Sequence, residues 1–186
     1  MGAGNTEQGK PGAAASSGAS AGKEFVITRV FDAPREVHFK AWTEPERLKQ
    51  WWGPKGFLWV ACTIDLRPGG MFHYCMRSPD GYEMWGNFVY REIVPPERIV
   101  FVNSFSDQKG GITRHPLSAT WPLEVLNVLT LSDHSGMSTL TLRGGPINAT
   151  EEERNTFTAG FPSMQKGFSG TFDQLDEYLK NFRKAK

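Results

Sequence analysis

The chain has 186 residues, 22% of them charged, and a formal net charge of +1. That is enough for one domain with a buried core, and it gives no global electrostatic pull towards nucleic acid or an acidic membrane. Cys62, Cys75 and the four histidines are scattered, so neither a metal site nor a cofactor is expected, and no phosphate-loop, dinucleotide or nucleophile-elbow fingerprint is present. No apolar run is long enough to span a membrane and no secretory h-region opens the chain, so a cytoplasmic protein with reduced thiols is expected.

Residues 1–22 are Gly, Ala and Ser with scattered polar groups. Such a composition cannot bury enough apolar surface to offset its ordering entropy, so a flexible tail is expected there and a single domain over 23–186. Glu24 to Phe31 is β-branched and aromatic, as a strand requires. Asp32 and Pro34 then supply an N-cap and a first-turn proline for a short helix to about Trp42. Thr43 and Pro45 repeat the device for a second helix, stopped by Gly53 and Pro54.

From Phe57 to Leu66 the pattern alternates, which puts Leu58, Val60, Cys62, Ile64 and Leu66 on one face. Turn signals at 67–70, 78–81 and 95–97 separate further strands over 71–77, 82–94 and 98–105. After a long loop over 106–122, segments 123–131 and 138–143 make a last hairpin, and Gly144 and Gly145 read as turn residues. Seven strands joined by short turns predict an antiparallel meander.

The C-terminal segment switches period. Thr150 and Glu153 form a capping box, and Phe157, Phe161, Met164, Phe168, Phe172, Leu175 and Leu179 recur at steps of three and four. One apolar stripe on a helix ending near Phe182 is expected, with a kink around Pro162 and with Gly167 and Gly170 letting the sheet approach. The predicted class is α+β: a curved seven-stranded antiparallel sheet wrapped around a long C-terminal helix, with two short helices after the first strand. A single helix is about 10 Å wide, too narrow to fill such a sheet, so large side chains or a pocket must occupy the remaining space.

Taken in order, several motifs carry a resemblance. They are Phe31-Asp-Ala-Pro34, Trp42-Thr-Glu-Pro-Glu46, Trp51-Trp-Gly-Pro54, Asp65-Leu-Arg-Pro-Gly-Gly70, the stretch from Tyr90 to Arg98, His115-Pro116, Trp121-Pro122 and the stretch from Gly167 to Leu175. The chain resembles the START-like (SRPBCC, Bet v 1-like) helix-grip superfamily, in the branch named after the activator of the heat-shock protein 90 ATPase. That resemblance covers nearly all of 24–182. It implies an apolar or amphipathic small molecule held between sheet and helix, which some members of the superfamily also turn over. Sharing a fold with a co-chaperone domain does not confer its activity.

The expected ligand wall comprises Phe72, Tyr74, Met76, Trp85 and Phe101 from the sheet and Trp51 from the second short helix, facing Met164, Phe168 and Phe172 of the long helix. Asn87, Glu83 and Arg77 are candidate polar groups for such a pocket. Which face Phe72, Tyr74 and Met76 occupy depends on the 57–77 hairpin: a two-residue Pro68-Gly69 turn sets Cys62 opposite Cys75, whereas a glycine bulge brings the three inward, the favoured arrangement. His38 and His134 are expected to face solvent and His73 to point outward. His115, on loop 106–122, is a weak candidate acid or base at the cavity mouth, with Leu117 and Trp121 docking the loop as a cover.

Three functional readings follow. The favoured one is a carrier or sensor of a hydrophobic small molecule. The second is an enzyme of cyclase, hydrolase or isomerase type in the same pocket, which requires a buried polar pair; no catalytic constellation is legible, so enzymatic activity stays open. The third is a protein-interaction module, or a homodimer through edge strands, which requires an exposed apolar patch.

Overall fold

The structure, a computed structural model, describes residues 23–184; the expected tail over 1–22 lies outside the described residues. The first strand, β1 (Phe25–Phe31), is followed by helices α1 (Arg35–Thr43) and α2 (Pro45–Leu48). Strands β2 (Leu58–Ile64), β3 (Met71–Arg77), β4 (Glu83–Val94), β5 (Arg98–Ser106), β6 (Ile112–Thr113), β7 (Glu124–His134) and β8 (Met137–Ile147) come next. Helices α3 (Glu151–Ala159) and α4 (Phe161–Lys184) complete the order. The sheet runs β1-β8-β7-β5-β4-β3-β2, with two-residue β6 paired off this path to β5. Every pairing is antiparallel.

Local chemistry explains most boundaries. Pro34, rather than Asp32, stands at the N-cap of α1. Thr43 serves the end of that helix, its hydroxyl donating to the Phe39 carbonyl at 3.0 Å. Glu44 takes the N-cap of α2, with Pro45 at its first position. The capping box at Thr150 and Glu153 is formed from both sides. β7 and β8 are joined by Ser135 and Gly136, both at positive φ, the geometry of a tight hairpin turn that matches strand twist. Gly144 and Gly145 lie inside β8, not in a turn.

The 58–77 hairpin holds two irregularities. Arg67 to Gly70 is a longer turn than Pro68-Gly69 alone, so Cys62 pairs with Tyr74 and Ile64 with Phe72. A second shift falls between Trp59 and Ala61. It reverses the facing of the strand: Trp59, Cys62 and Ile64 pack on the core, while Leu58 and Val60 are exposed. The expected single face from Leu58 to Leu66 is therefore split.

The helix break falls at Gly160, between α3 and α4, and not at Pro162. A Cβ there would lie 2.9 Å from the Trp121 ring, so glycine is what lets the indole seat at the junction. Gly167 and Gly170 have nothing within 4 Å of a Cβ position and bring no sheet close. The C-terminal stripe behaves as its period predicts: Phe157, Phe172, Leu175 and Leu179 are all buried.

His38 departs most from expectation. It is fully buried, its ring 4.7 Å from that of Phe31. Its Nδ1 shares a 2.8 Å hydrogen bond with the Ser138 hydroxyl, and its Nε2 has no partner. Helix α1 turns this face onto β7 and β8, a long-range packing that local polarity does not reveal. His134, by contrast, is exposed in the hairpin.

Burial pushes the His38 pKa down to about 3. Below the ordinary imidazole value the unfolded chain takes up a proton that the folded chain refuses. The contribution of neutral His38 is thus full above about pH 6.5 and is lost as pH falls towards 3. Denaturant titrations are expected to show about 2 kcal/mol less stability at pH 5 than at pH 6.5, a difference mostly removed in His38→Gln. Equal pH dependence in both proteins would contradict this.

Candidate functional site

Strand parity decides which side chains meet the long helix. Phe72 pairs with Phe88, Phe88 with Asn103, and Phe101 with Asn127, so all of these share the concave face. A cavity of about 90 Å³ lies there, walled by Trp52, Tyr74, Phe88, Phe101, Asn103, Asn127, Leu142 and Phe168. It is small beside the 300–1,000 Å³ of typical drug-sized sites. The Phe88 ring stacks on Phe101 at 4.3 Å and meets Trp52 edge-on at 5.5 Å.

Two concave-face glycines make room for polar groups. A Cβ on Gly86 would lie 2.7 Å from the Tyr74 ring and hydroxyl, and one on Gly144 would lie 2.6 Å from Asn127 Oδ1. Asn127 donates through Nδ2 to Asn103 Oδ1 at 2.7 Å and to the Val125 carbonyl at 3.0 Å. Burial pushes the Tyr74 phenol up to about 12, with the Trp52 indole near enough to offset part of that rise. The Trp52 N–H nonetheless falls outside hydrogen-bond geometry and has no partner. Its segment is pinned to α4, since Gln174 Nε2 donates to the Gly53 carbonyl at 2.7 Å.

The expected wall is thus partly assembled. Tyr74, Phe101 and Phe168 line the cavity. Phe72 lies just behind, its ring 4.8 Å from Tyr74, and Phe172 is buried 5.8 Å from Phe168. Met164 is half-buried on the core without lining the cavity. Met76 is buried against Gly53, where a Cβ would meet its sulfur at 2.4 Å. Trp51 is a packing residue: its Nε1 donates to the Ala41 carbonyl at 3.0 Å and its ring meets Trp42 at 4.8 Å. The neighbouring Trp52 takes the place expected of it.

Trp85 and Asn87 lie on the opposite face. They pair with Cys75 and His73, the residues of β3 that alternate with its inward set. Trp85 packs 5.1 Å from the His73 ring, and Asn87 Nδ2 donates to the Gly110 carbonyl at 3.1 Å. His73 Nε2 donates to the Asp107 carbonyl at 3.0 Å, so these residues hold the 107–111 turn against the convex surface. Arg77 and Glu83 form an ion pair at 2.6 Å on the same side. None of the four can meet a ligand in the cavity.

The missed residues, Trp52, Phe88, Asn103, Asn127 and Leu142, had one usable signal. Asn103 and Asn127 interrupt otherwise apolar strands, and polar residues on an inward parity are informative.

His115 accepts the Leu117 N–H on Nδ1 at 2.9 Å, and its ring lies 4.5 Å from Phe105. Burial lowers its pKa. No carboxylate or nucleophilic side chain hydrogen-bonds to it among the described residues. The loop around it is strapped to α3, as Arg114 pairs with Glu153 and donates to the Trp121 carbonyl, while Thr156 donates to Thr120 at 2.9 Å. Trp121 docks 5.5 Å from Phe157. Leu117 does not dock: it is 89% exposed. A wider groove of about 760 Å³ between α2 and α4 is open and polar, with Arg47 and Glu44 on its wall paired to each other. No helix among the described residues is long and apolar enough to cross a membrane.

Comparison with known proteins agrees with this architecture. The sequence model of the family described as Activator of Hsp90 ATPase homolog 1-like protein matches residues 32–180. A crystal structure from Mycobacterium smegmatis superposes with a TM-score of 0.69 at 26% identity, over 84% of this chain and 90% of the other. A Nitrosomonas europaea protein gives 0.67 at 24% identity over 86% and 96%. The AHSA1 protein of Silicibacter pomeroyi gives 0.64 at 18% identity over 85% and 98%. No curated protein matches the chain.

The close approach at Gly86 generates a prediction. Gly86→Ala forces Tyr74 or the strand to shift and is expected to cost about 1–3 kcal/mol. Gly167→Ala, in open space on α4, is expected to gain about 0.5–1 kcal/mol from helix propensity. Urea unfolding of the two variants checks this, and a harmless Gly86→Ala would show that Tyr74 does not depend on the cradle.

Proposed function

Because the chain belongs to the family of Activator of Hsp90 ATPase homolog 1-like proteins, we propose that it binds a small apolar or amphipathic molecule between the sheet and α4, as a carrier or sensor. The observation that carries this reading is the cavity walled by Trp52, Tyr74, Phe88, Phe101 and Phe168 with an asparagine pair at its floor. Aromatic walls favour ligand binding by removing apolar surface from water, at roughly 25 cal/mol per Å². A few convergent polar groups in such a wall fix orientation.

The enzymatic alternative finds less support. The polar pair at the floor consists of two amides, which neither give nor take a proton at ordinary pH. Tyr74, with its pKa raised, keeps its proton. The interaction-module reading is also weaker, because the exposed apolar strand residues are spread over the sheet, with Val26 and Val30 on β1, Leu58 and Val60 on β2, Val94 on β4, Ile112 on β6 and Met137 on β8.

Native mass spectrometry of the purified chain, followed by denaturing extraction, tests the reading. A stoichiometric apolar adduct is expected, or thermal stabilisation by members of a panel of one-ring and larger apolar molecules. Phe168→Ala is expected to weaken that binding about tenfold. A clean protein with no thermal shift across the panel, or binding indifferent to Phe168→Ala, would rule out this cavity as the site.

A further inference from the structure

We infer that α1 is a detachable element, which acid releases from the sheet while every strand pairing stays closed.

Topology permits this. Residues 32–57 are one excursion between β1, whose last pair joins Phe31 to Ser138, and β2, whose first joins Leu58 to Arg77. Lifting α1 therefore breaks no strand pairing. The far end of the excursion is tied to α4: Arg47 donates to the Tyr178 hydroxyl at 3.4 Å, and Gln174 donates to the Gly53 carbonyl at 2.7 Å. Trp51 holds the last turn of α1 through the Ala41 carbonyl. Release thus starts at the N-terminal end of α1, and nine residues are too few to stay helical alone.

The seat of α1 on the sheet is poorly satisfied. Arg35 Nε, His38 Nε2 and Trp42 Nε1 are buried without a hydrogen-bond partner, and positions 35, 38 and 42 share one face of a helix. They are three of the six such side-chain atoms among the described residues, so the cost of burying unpaired groups is concentrated on this helix. Among the described residues, one side-chain hydrogen bond joins α1 to a strand, between His38 Nδ1 and the Ser138 hydroxyl at 2.8 Å.

Acid acts at that bond. An imidazolium donates from both nitrogens, so protonation puts a charge and a further donor where no acceptor waits. The charged groups around the ring offer no relief. On α1, Arg35 is held by Glu36 and Glu97, and Lys40 is exposed. On β1, Arg29 stands over the Phe31 ring and pairs with Asp173. On β7, Asp133 and His134 lie opposite Ser138 and Met137 on β8 and are exposed. None of these hydrogen-bonds to the imidazole. Burial keeps the pKa of seated His38 far below its ordinary value. Lifting α1 therefore takes up a proton and becomes easier as pH falls below about 6.5.

Hydrogen exchange of the full chain between pH 7.5 and 5, corrected for the intrinsic rate of each amide, tests this. At pH 7.5 the segment 35–43 is expected to open at least about tenfold more often than 139–142 of β8, and with less sensitivity to low urea, because less surface is uncovered. Its opening is expected to rise about thirtyfold by pH 5, and His38→Gln to flatten that rise. Equal opening of the two segments at every pH would show that α1 leaves only when the whole fold does. A rise absent from the natural chain, or one that persists in His38→Gln, would show that His38 is not the trigger. Any of these results overturns the inference, and the comparison of segments in the natural chain decides it even where His38→Gln does not fold.

Discussion

Everything in this molecule depends on one aromatic helix stripe packing into the hollow of a sheet whose two edges never meet. Phe172, Leu175 and Leu179 are almost wholly removed from water, each worth roughly 1.5–3 kcal/mol of transfer free energy. The rings of Phe157, Phe161, Phe25, Phe168 and Phe172 form a continuous run along that contact, with successive centroids 5.6–5.8 Å apart. Helix α4 covers only part of the hollow. The tryptophans at 42, 51 and 52 fill a second part, and the loop held by Trp121 closes a third. What none of the three fills is the cavity.

That division explains the polar residues on the concave face. Buried amides are tolerable only when hydrogen-bonded, and Asn127 meets the condition through Asn103 and the Val125 carbonyl. Gly144 on the adjacent strand and Gly86 beneath Tyr74 provide space that any side chain would remove. Two of the polar groups, Tyr74 and Asn127, are thus each matched to a residue without a Cβ on the neighbouring strand.

The parts of this arrangement that follow from local periods were legible in the sequence. The β–αα–β order, the α3–α4 stripe and the capping box at Thr150 need only spacing and cap chemistry. The inward facing of Phe72 and Tyr74 was also reachable, because the longer turn at 67–70 could be weighed by which set is more apolar. The bulge between Trp59 and Ala61 could not, since nothing in an apolar strand marks where one residue drops out of register. Trp85 and Asn87 show a different failure: their parity on β4 follows from pairing with β3, yet their chemistry suggested a pocket, and chemistry does not override parity. Burial of His38 depends on α1 lying across strands a hundred residues away, a contact with no local signature.

The place of β1 at one end of the sheet has a consequence for how the chain is made. Its hydrogen-bonding neighbour is β8, and the Thr28 and Thr141 hydroxyls meet although they stand 113 positions apart in the sequence. β1 therefore leaves the ribosome well before its hydrogen-bonding neighbour, with five other strands of the main sheet made in between. The entropy of closing so long a loop grows only slowly with length, but closure comes late, and topologies dominated by such distant pairings fold slowly. For this chain the moment of greatest exposure to aggregation or to a chaperone lies between the emergence of Phe25 and the arrival of residues 138–144.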